Sequence, residues 1–152
     1  MKSNLLVVDD KPANIVVLGA ILGASYDLIP AHSGYEALDL IQEKDVDVVL
    51  LDIEMPGIDG YETVRRIKQI ERCKDIPIIL VSGVFTEDPY VKKGYEYGAV
   101  DYFTKPFNPD VLKLKVAFYA SMRQKEALIK EKEEKIKELE MQLQGSRVTD
   151  NK

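Results

Sequence analysis

Five short apolar runs, Leu5 to Val8, Tyr26 to Pro30, Val46 to Leu51, Ile78 to Val81 and Val100 to Phe103, alternate with stretches whose apolar residues recur at helical spacing. Strand runs spaced by helices in this way predict right-handed βαβ crossovers and an α/β fold, with a parallel sheet covered on both faces. Pro12 suits the first turn of a helix that continues through Ile15, Val16, Leu18, Ile21 and Leu22 on one buried face. Ser33-Gly34-Tyr35-Glu36 has capping-box spacing and opens a second helix with Ala37, Leu38 and Ile41 inward. Asp59-Gly60-Tyr61-Glu62 repeats the pattern before Val64, Ile67 and Ile70, and Asp75 and Pro77 end that helix. A fourth helix spans Glu87 to Tyr97 and stops at Gly98.

The 152 residues match about one domain, and a hydrophobic content of 45% is ample for a packed core. No window approaches the roughly 18 continuous apolar residues of a membrane span. Met1-Lys2-Ser3-Asn4 leads straight into a strand pattern without a cleavage signature. Cys73 is the only cysteine, which excludes an internal disulfide and fits a reducing, cytoplasmic setting; with His32 as the only histidine, a zinc site is also excluded. A net charge of −5 argues against nucleic acid as a partner.

In open sheets of this kind, ligands bind beyond the carboxyl ends of the strands. The chemically suggestive residues fall at such ends: Asp9 and Asp10 after the first strand, Asp52 after the third, Ser82 after the fourth and Lys105 after the fifth. Carboxylates confined to one cleft repel one another, and a hard divalent cation relieves the repulsion; Mg²⁺ accepts one or two carboxylates together with water and phosphate oxygens. One carboxylate can then attack phosphorus to form an aspartyl phosphate, with an ammonium and a hydroxyl cradling the phosphoryl oxygens. Asp52 is the natural nucleophile because its strand is the most apolar. Taken singly, each residue also has a plain reading. Asp9-Asp10 serves as a turn and a helix cap, Asp59 is a cap, Ser82 a turn residue, and Lys105 a solvated lysine fixed before Pro106.

Four motifs in order resemble the receiver domain of two-component response regulators over residues 4 to 120. They are Val7-Val8-Asp9-Asp10, Leu50-Leu51-Asp52-Ile53-Glu54-Met55-Pro56-Gly57-Ile58-Asp59-Gly60, Val81-Ser82-Gly83, and Gly94 through Phe107 with Thr104-Lys105-Pro106 inside it. The resemblance implies a flavodoxin-like (βα)5 sheet in the order 2-1-3-4-5. It implies a phosphoacceptor at Asp52 fed by a sensor histidine kinase, and Mg²⁺ held by Asp10, Asp52 and the backbone carbonyl of Glu54, with Asp9 acting through water. Ser82 and Lys105 would bind the phosphoryl group, Lys105-Pro106 would be cis, and Ser82 with Tyr102 would switch the surface of the fourth helix, fifth strand and fifth helix. Tyr102 also fits a half-buried strand aromatic with no such role. By the same resemblance, Glu54 and Val84 would flank the path of a hydrolytic water.

After the fifth strand, Asn108-Pro109-Asp110 opens a helix whose first part, with Leu112, Val116 and Phe118, belongs to the receiver. No Gly or Pro interrupts it before Gly145, so it would reach about 50 Å. Met122, Ile129, Ile136 and Leu143 recur every seven residues, with Phe118 and Leu139 on the intervening line, which resembles a parallel two-stranded coiled coil. Lys125 and Lys132 on that line instead favour a single charged helix held by i,i+4 ion pairs. The chain thus divides into a receiver at 1–121, a coiled-coil extension at 122–144 and a flexible tail at 145–152. It is either a piece that has lost an output module or one whose coil is the output. Two other functions compete with a phosphorylation switch: a haloacid-dehalogenase-like aspartyl-phosphate phosphohydrolase, and an unphosphorylated dimeric scaffold.

Overall fold

The computed structural model describes residues 2–83 and 88–150. Its strands are β1 (Asn4–Val8), β2 (Asp27–Ala31), β3 (Val48–Asp52), β4 (Ile78–Ser82) and β5 (Asp101–Thr104). Its helices are α1 (Pro12–Leu22), α2 (Gly34–Glu43), α3 (Gly60–Gln69), α4 (Asp88–Tyr97) and α5 (Pro109–Asp150). All strand pairs are parallel, and the sheet order is β2-β1-β3-β4-β5, as the resemblance implies.

The central strands are apolar at every position but one end residue each, Asn4, Asp52 and Ser82, because both faces of the sheet are covered. Leu6, Val8, Val49, Leu51, Ile78 and Leu80 pack on one side with Ile41 of α2 and Val64 and Ile67 of α3. The intervening residues Leu5, Val7, Val48, Leu50, Ile79 and Val81 pack on the other side with Leu18 and Leu22 of α1 and Leu112, Val116 and Ala120 of α5. Alternate side chains of a strand point to opposite faces, so each run feeds both cores at once.

Helix starts follow the expected chemistry. The Ser33 hydroxyl accepts the Glu36 amide at 3.0 Å, and the Glu36 carboxylate reaches back to the His32 amide. Asp59 accepts the Glu62 amide at 2.9 Å and is a cap.

Several details differ from the expectations. β3 starts at Val48, because Asp47 turns its carboxylate to the Asn4 amide at 2.7 Å and Asn4 binds the Asp45 carbonyl. Val46 is buried just ahead of the strand, β2 runs on to Ala31, and β5 is shifted to Asp101–Thr104. Val16 is 72% exposed and leaves the inward face of α1 to Leu18 and Leu22, with Ile15 and Ile21 partly buried beside them. Phe118 is 60% exposed: the sheet is covered by Leu112, Val116 and Ala120, one turn apart, and Phe118 lies off that line. The start expected at Glu87 lies outside the described residues. α5 does not stop at Gly145 but continues to Asp150, since one glycine in a solvated helix costs only about 1 kcal/mol relative to alanine. Among the described residues, no helix is long and apolar enough to cross a membrane.

Gly60 opens α3 directly beneath the end of β3, and its amide donates to the Ile53 carbonyl at 2.8 Å. A Cβ there would lie 2.6 Å from both the Asp52 carbonyl oxygen and the Ile53 Cα. Gly60→Ala is therefore expected to lower stability by about 1–3 kcal/mol in urea denaturation. Gly19→Ala on α1, where a Cβ meets nothing within 4 Å, is expected to raise it by about 0.5–1 kcal/mol.

Candidate functional site

The sheet register sets the site. Val8 pairs with Leu51, so Asp9 follows β1 beside Asp52 at the end of β3. Asp52 pairs with Val81, and Ser82 with Thr104, which places Ser82 and Lys105 along the same edge. This is the point where the strand order reverses between β1 and β3, and ligands of open α/β sheets bind at such crevices.

Asp9 and Asp52 are buried and Asp10 is partly so, and one carboxylate oxygen from each lies within 4.8 Å of the others. Asp9 is fixed from three directions. Its Oδ1 accepts the Lys11 amide at 2.9 Å, and its Oδ2 accepts the Asn14 side-chain amide at 3.0 Å and Lys105 Nζ at 3.1 Å. Lys105 Nζ also lies 3.6 Å from Asp52 Oδ2. The Lys105 amide donates to the Ser82 carbonyl at 2.8 Å, tying the ends of β4 and β5 together ahead of a cis Lys105–Pro106 bond.

Three carboxylates share one ammonium, and the imbalance is visible in the chemistry. Burial, and then the Asp9 carboxylate, push the Asp52 carboxyl up to about 6, against the pull of Lys105 and of a hydrogen bond from the Glu54 backbone; Asp10 adds a smaller push upward. Asp10 Oδ1 is buried without a hydrogen-bond partner. An all-oxygen donor set with surplus negative charge and an orphaned carboxylate oxygen fits a hard divalent cation such as Mg²⁺.

Ser82 is fully buried, and its side chain hydrogen-bonds the half-buried Tyr102. Burial raises the Tyr102 hydroxyl's pKa, while the Ser82 bond opposes the rise. The structure thus brings together Asp9, Asp10, Asp52 and Lys105, and pairs Ser82 with Tyr102 on the adjoining ends of β4 and β5. The Glu54 side chain is exposed, and Val84 lies outside the described residues. His32 is exposed, and Cys73 is a free, fully buried thiol.

Two features escaped the sequence reading. Asn14 orients Asp9; its signal was a short polar residue in the first turn of an otherwise apolar helix. The second is a clamp behind Tyr102. Lys115 of α5 donates to Asp101 Oδ1 and to the Tyr102 carbonyl, each at 3.0 Å, and the Tyr119 hydroxyl donates to Asp101 Oδ2 at 3.1 Å. Burial and the neighbouring Asp101 carboxylate push the Tyr119 hydroxyl up to about 12. Nothing in sequence spacing joins those three residues.

Residues 5–117 match the response regulator receiver domain family. A probable cyclic di-GMP phosphodiesterase of Vibrio cholerae serotype O1 is 40% identical over 113 residues, covering 74% of this chain and 25% of that protein. The phosphate regulon transcriptional regulatory protein PhoB of Pseudomonas aeruginosa is 38% identical over 108 residues, covering 71% of this chain and 47% of that protein. The chain therefore spans less than half the length of either relative. Among solved structures, a putative response regulator from Chloroflexus aurantiacus superposes with a TM-score of 0.75 at 34% identity, over 80% of this chain and 99% of the other.

The raised Asp52 pKa has a definite sign. The unfolded carboxyl ionises near 3.8 and the folded one near 6. Its contribution to stability is thus complete below about 3.8 and is lost as pH rises through about 6. In metal-free buffer at neutral pH, Asp52→Asn is expected to raise stability by on the order of 1 kcal/mol, a value reduced for solvent screening. Thermal denaturation across pH 4–8 should show the gain shrinking towards acid, and added Mg²⁺ should stabilise the wild type more than the variant.

Proposed function

The chain belongs to the response regulator receiver domain family, and from that premise we propose that it is a phosphorylation-dependent switch whose acceptor is Asp52. The observation that carries this reading is the convergence of Asp9, Asp10 and Asp52 on one another, with Lys105 beside Asp9 and Asp52. A sensor histidine kinase supplies the phosphoryl group. An Asp52 carboxylate oxygen bonds to phosphorus as the bond from phosphorus to the donor imidazole nitrogen breaks, and the imidazole keeps the electron pair and takes up a proton. Asp52 must be ionised to attack, and a pKa near 6 leaves it mostly so at neutral pH.

Asp10, Asp52 and the Glu54 backbone carbonyl would hold Mg²⁺, with Asp9 acting through water, and the cation would supply charge neutralisation for the incoming phosphoryl oxygens. Asn14 and the Lys11 amide keep Asp9 in place. Lys105 pairs with the transferred group, and the Ser82 hydroxyl donates to it. Recruiting Ser82 in this way takes it from Tyr102, and Tyr102 then repacks.

Lys115 and Tyr119 connect the Tyr102 segment of β5 to α5, so the altered surface is that of α4, β5 and α5. We place the protein in the cytoplasm, with no nucleic acid as a partner of this chain. The output passes along α5 as a homodimeric coil, or to a module joined beyond it; residues 1–121 form the receiver and the rest of α5 the extension.

Incubation with acetyl phosphate and Mg²⁺ is expected to add one phosphoryl group by intact mass, and none in Asp52→Asn. Catalytic hydrolysis of many equivalents would instead identify a phosphohydrolase, and no adduct at all would leave a scaffold. Tyr102→Ala is expected to keep the adduct while losing most of any linked change in sedimentation. An unchanged linkage in that variant would remove Tyr102 from the switch.

A further inference from the structure

α5 carries an apolar stripe that the sheet does not cover. Phe118, Met122, Ile129, Ile136, Leu139 and Leu143 are each between 41% and 60% exposed. Lettered as heptads, Met122, Ile129, Ile136 and Leu143 occupy a, while Phe118 and Leu139 occupy d. The other d positions are Lys125 and Lys132, and the e positions that follow them are Glu126, Glu133 and Glu140. The stripe starts inside the receiver at Phe118, which explains why that residue is turned away from the core.

We propose that α5 pairs with α5 of a second copy as a parallel, in-register two-stranded coil, in which Lys125 and Lys132 reach Glu126 and Glu133 of the other chain. This rests on the dimeric reading above and gives that dimer its orientation and register. In a parallel pair, a d side chain enters a hole whose wall includes the e residue of the facing helix, so each lysine head meets a glutamate while its stem covers the seam. Lys135 at g lies across from Glu140 at e of the other chain, adding a further attractive pair.

The alternatives leave charges unmatched. An antiparallel pair sets the two e rows against each other, and all three residues of each row are glutamate. It also sets Lys132 against Ile129 and Lys125 against Ile136. A trimer would bury three lysines in each of two layers. Polar residues on a coiled-coil seam lower stability while fixing register and strand number, so this coil is specific and weak. Parallel pairing puts both receivers at the same end, with their Phe118 side chains in the first layer of the seam.

Two measurements on the full chain test the pairing. With Ile136→Cys, mild oxidation is expected to cross-link the dimer in high yield, because the introduced cysteines share one layer and Cys73 is fully buried. For charge, a chain carrying Glu126→Lys and Glu133→Lys and another carrying Lys125→Glu and Lys132→Glu are each expected to self-associate about ten-fold or more weakly than wild type. An equimolar mixture of the two should regain near wild-type association by sedimentation, with helicity checked by circular dichroism.

A dimer that forms without cross-linking overturns the parallel register but leaves the dimeric reading standing. Failure of the mixture to recover overturns the lysine–glutamate pairing. A monomer at every concentration, with or without acetyl phosphate and Mg²⁺, overturns both the pairing and the dimer. The aspartyl phosphate adduct, read in the same samples, reports the Asp52 switch independently of all three.

Discussion

The uncompensated charge of Asp9, Asp10 and Asp52 is the constraint around which this molecule is arranged. Among the described residues, Lys105 is the cation paired with the cluster, at 3.1 Å from Asp9 and 3.6 Å from Asp52, and burial of two of the carboxylates makes the remaining repulsion costly. A surface acid would relax into solvent. Asp52 cannot, because it is the last residue of a strand buried on both faces and held between β1 and β4. The strands thus keep a high-energy arrangement of charge that a divalent cation would relieve.

The same packing gives the site a route outward. Ser82 bonds Tyr102, the Tyr102 carbonyl receives Lys115, and Lys115 shares Asp101 with Tyr119. Each link is polar and partly shielded from water, and such contacts change by exchange of partners more readily than by gradual stretching. Contiguity alone is not coupling; in the proposed switch the bistable element would be the Ser82 hydroxyl, which would have two competing acceptors once a phosphoryl group is present. The receiver end of α5 would then read the outcome through its bonds to β5.

The sheet was legible in the sequence because strands buried on both faces must be apolar at consecutive positions, which β1, β3 and β4 are. Their ends were less legible. Asp47 holds Asn4 from both sides, its backbone amide donating to the Asn4 carbonyl and its carboxylate accepting the Asn4 amide, a contact between residues far apart in sequence that no local pattern encodes. The places of Asp9, Asp52 and Ser82 were legible because each directly follows an apolar run, and that of Lys105 because it comes one residue after the last run and before Pro106. Asn14 and the clamp of Asp101, Lys115 and Tyr119 were not, because they depend on how α1 and α5 lie against the strands. Val16 and Phe118 were misassigned for one reason: helical spacing shows that an apolar residue shares a face, but not which face meets the sheet.

α5 shows what that ambiguity means physically. Over its receiver portion, Leu112, Val116 and Ala120 form the line that packs on the sheet, and Phe118 and Met122 lie on a separate stripe. At 3.6 residues per turn, Lys115 and Tyr119 fall between those two lines, and both bind Asp101 of β5. Apolar residues on two sides cancel in any average over the helix, so its amphipathicity is hidden from a reading along the chain. Because the Asp101 contacts sit between the sheet line and the exposed stripe, a displacement of β5 would apply torque to α5 about its own axis. A small rotation there would re-aim every layer of the stripe together, and in the pairing proposed above Lys125 and Lys132 would weaken the seam that receives it.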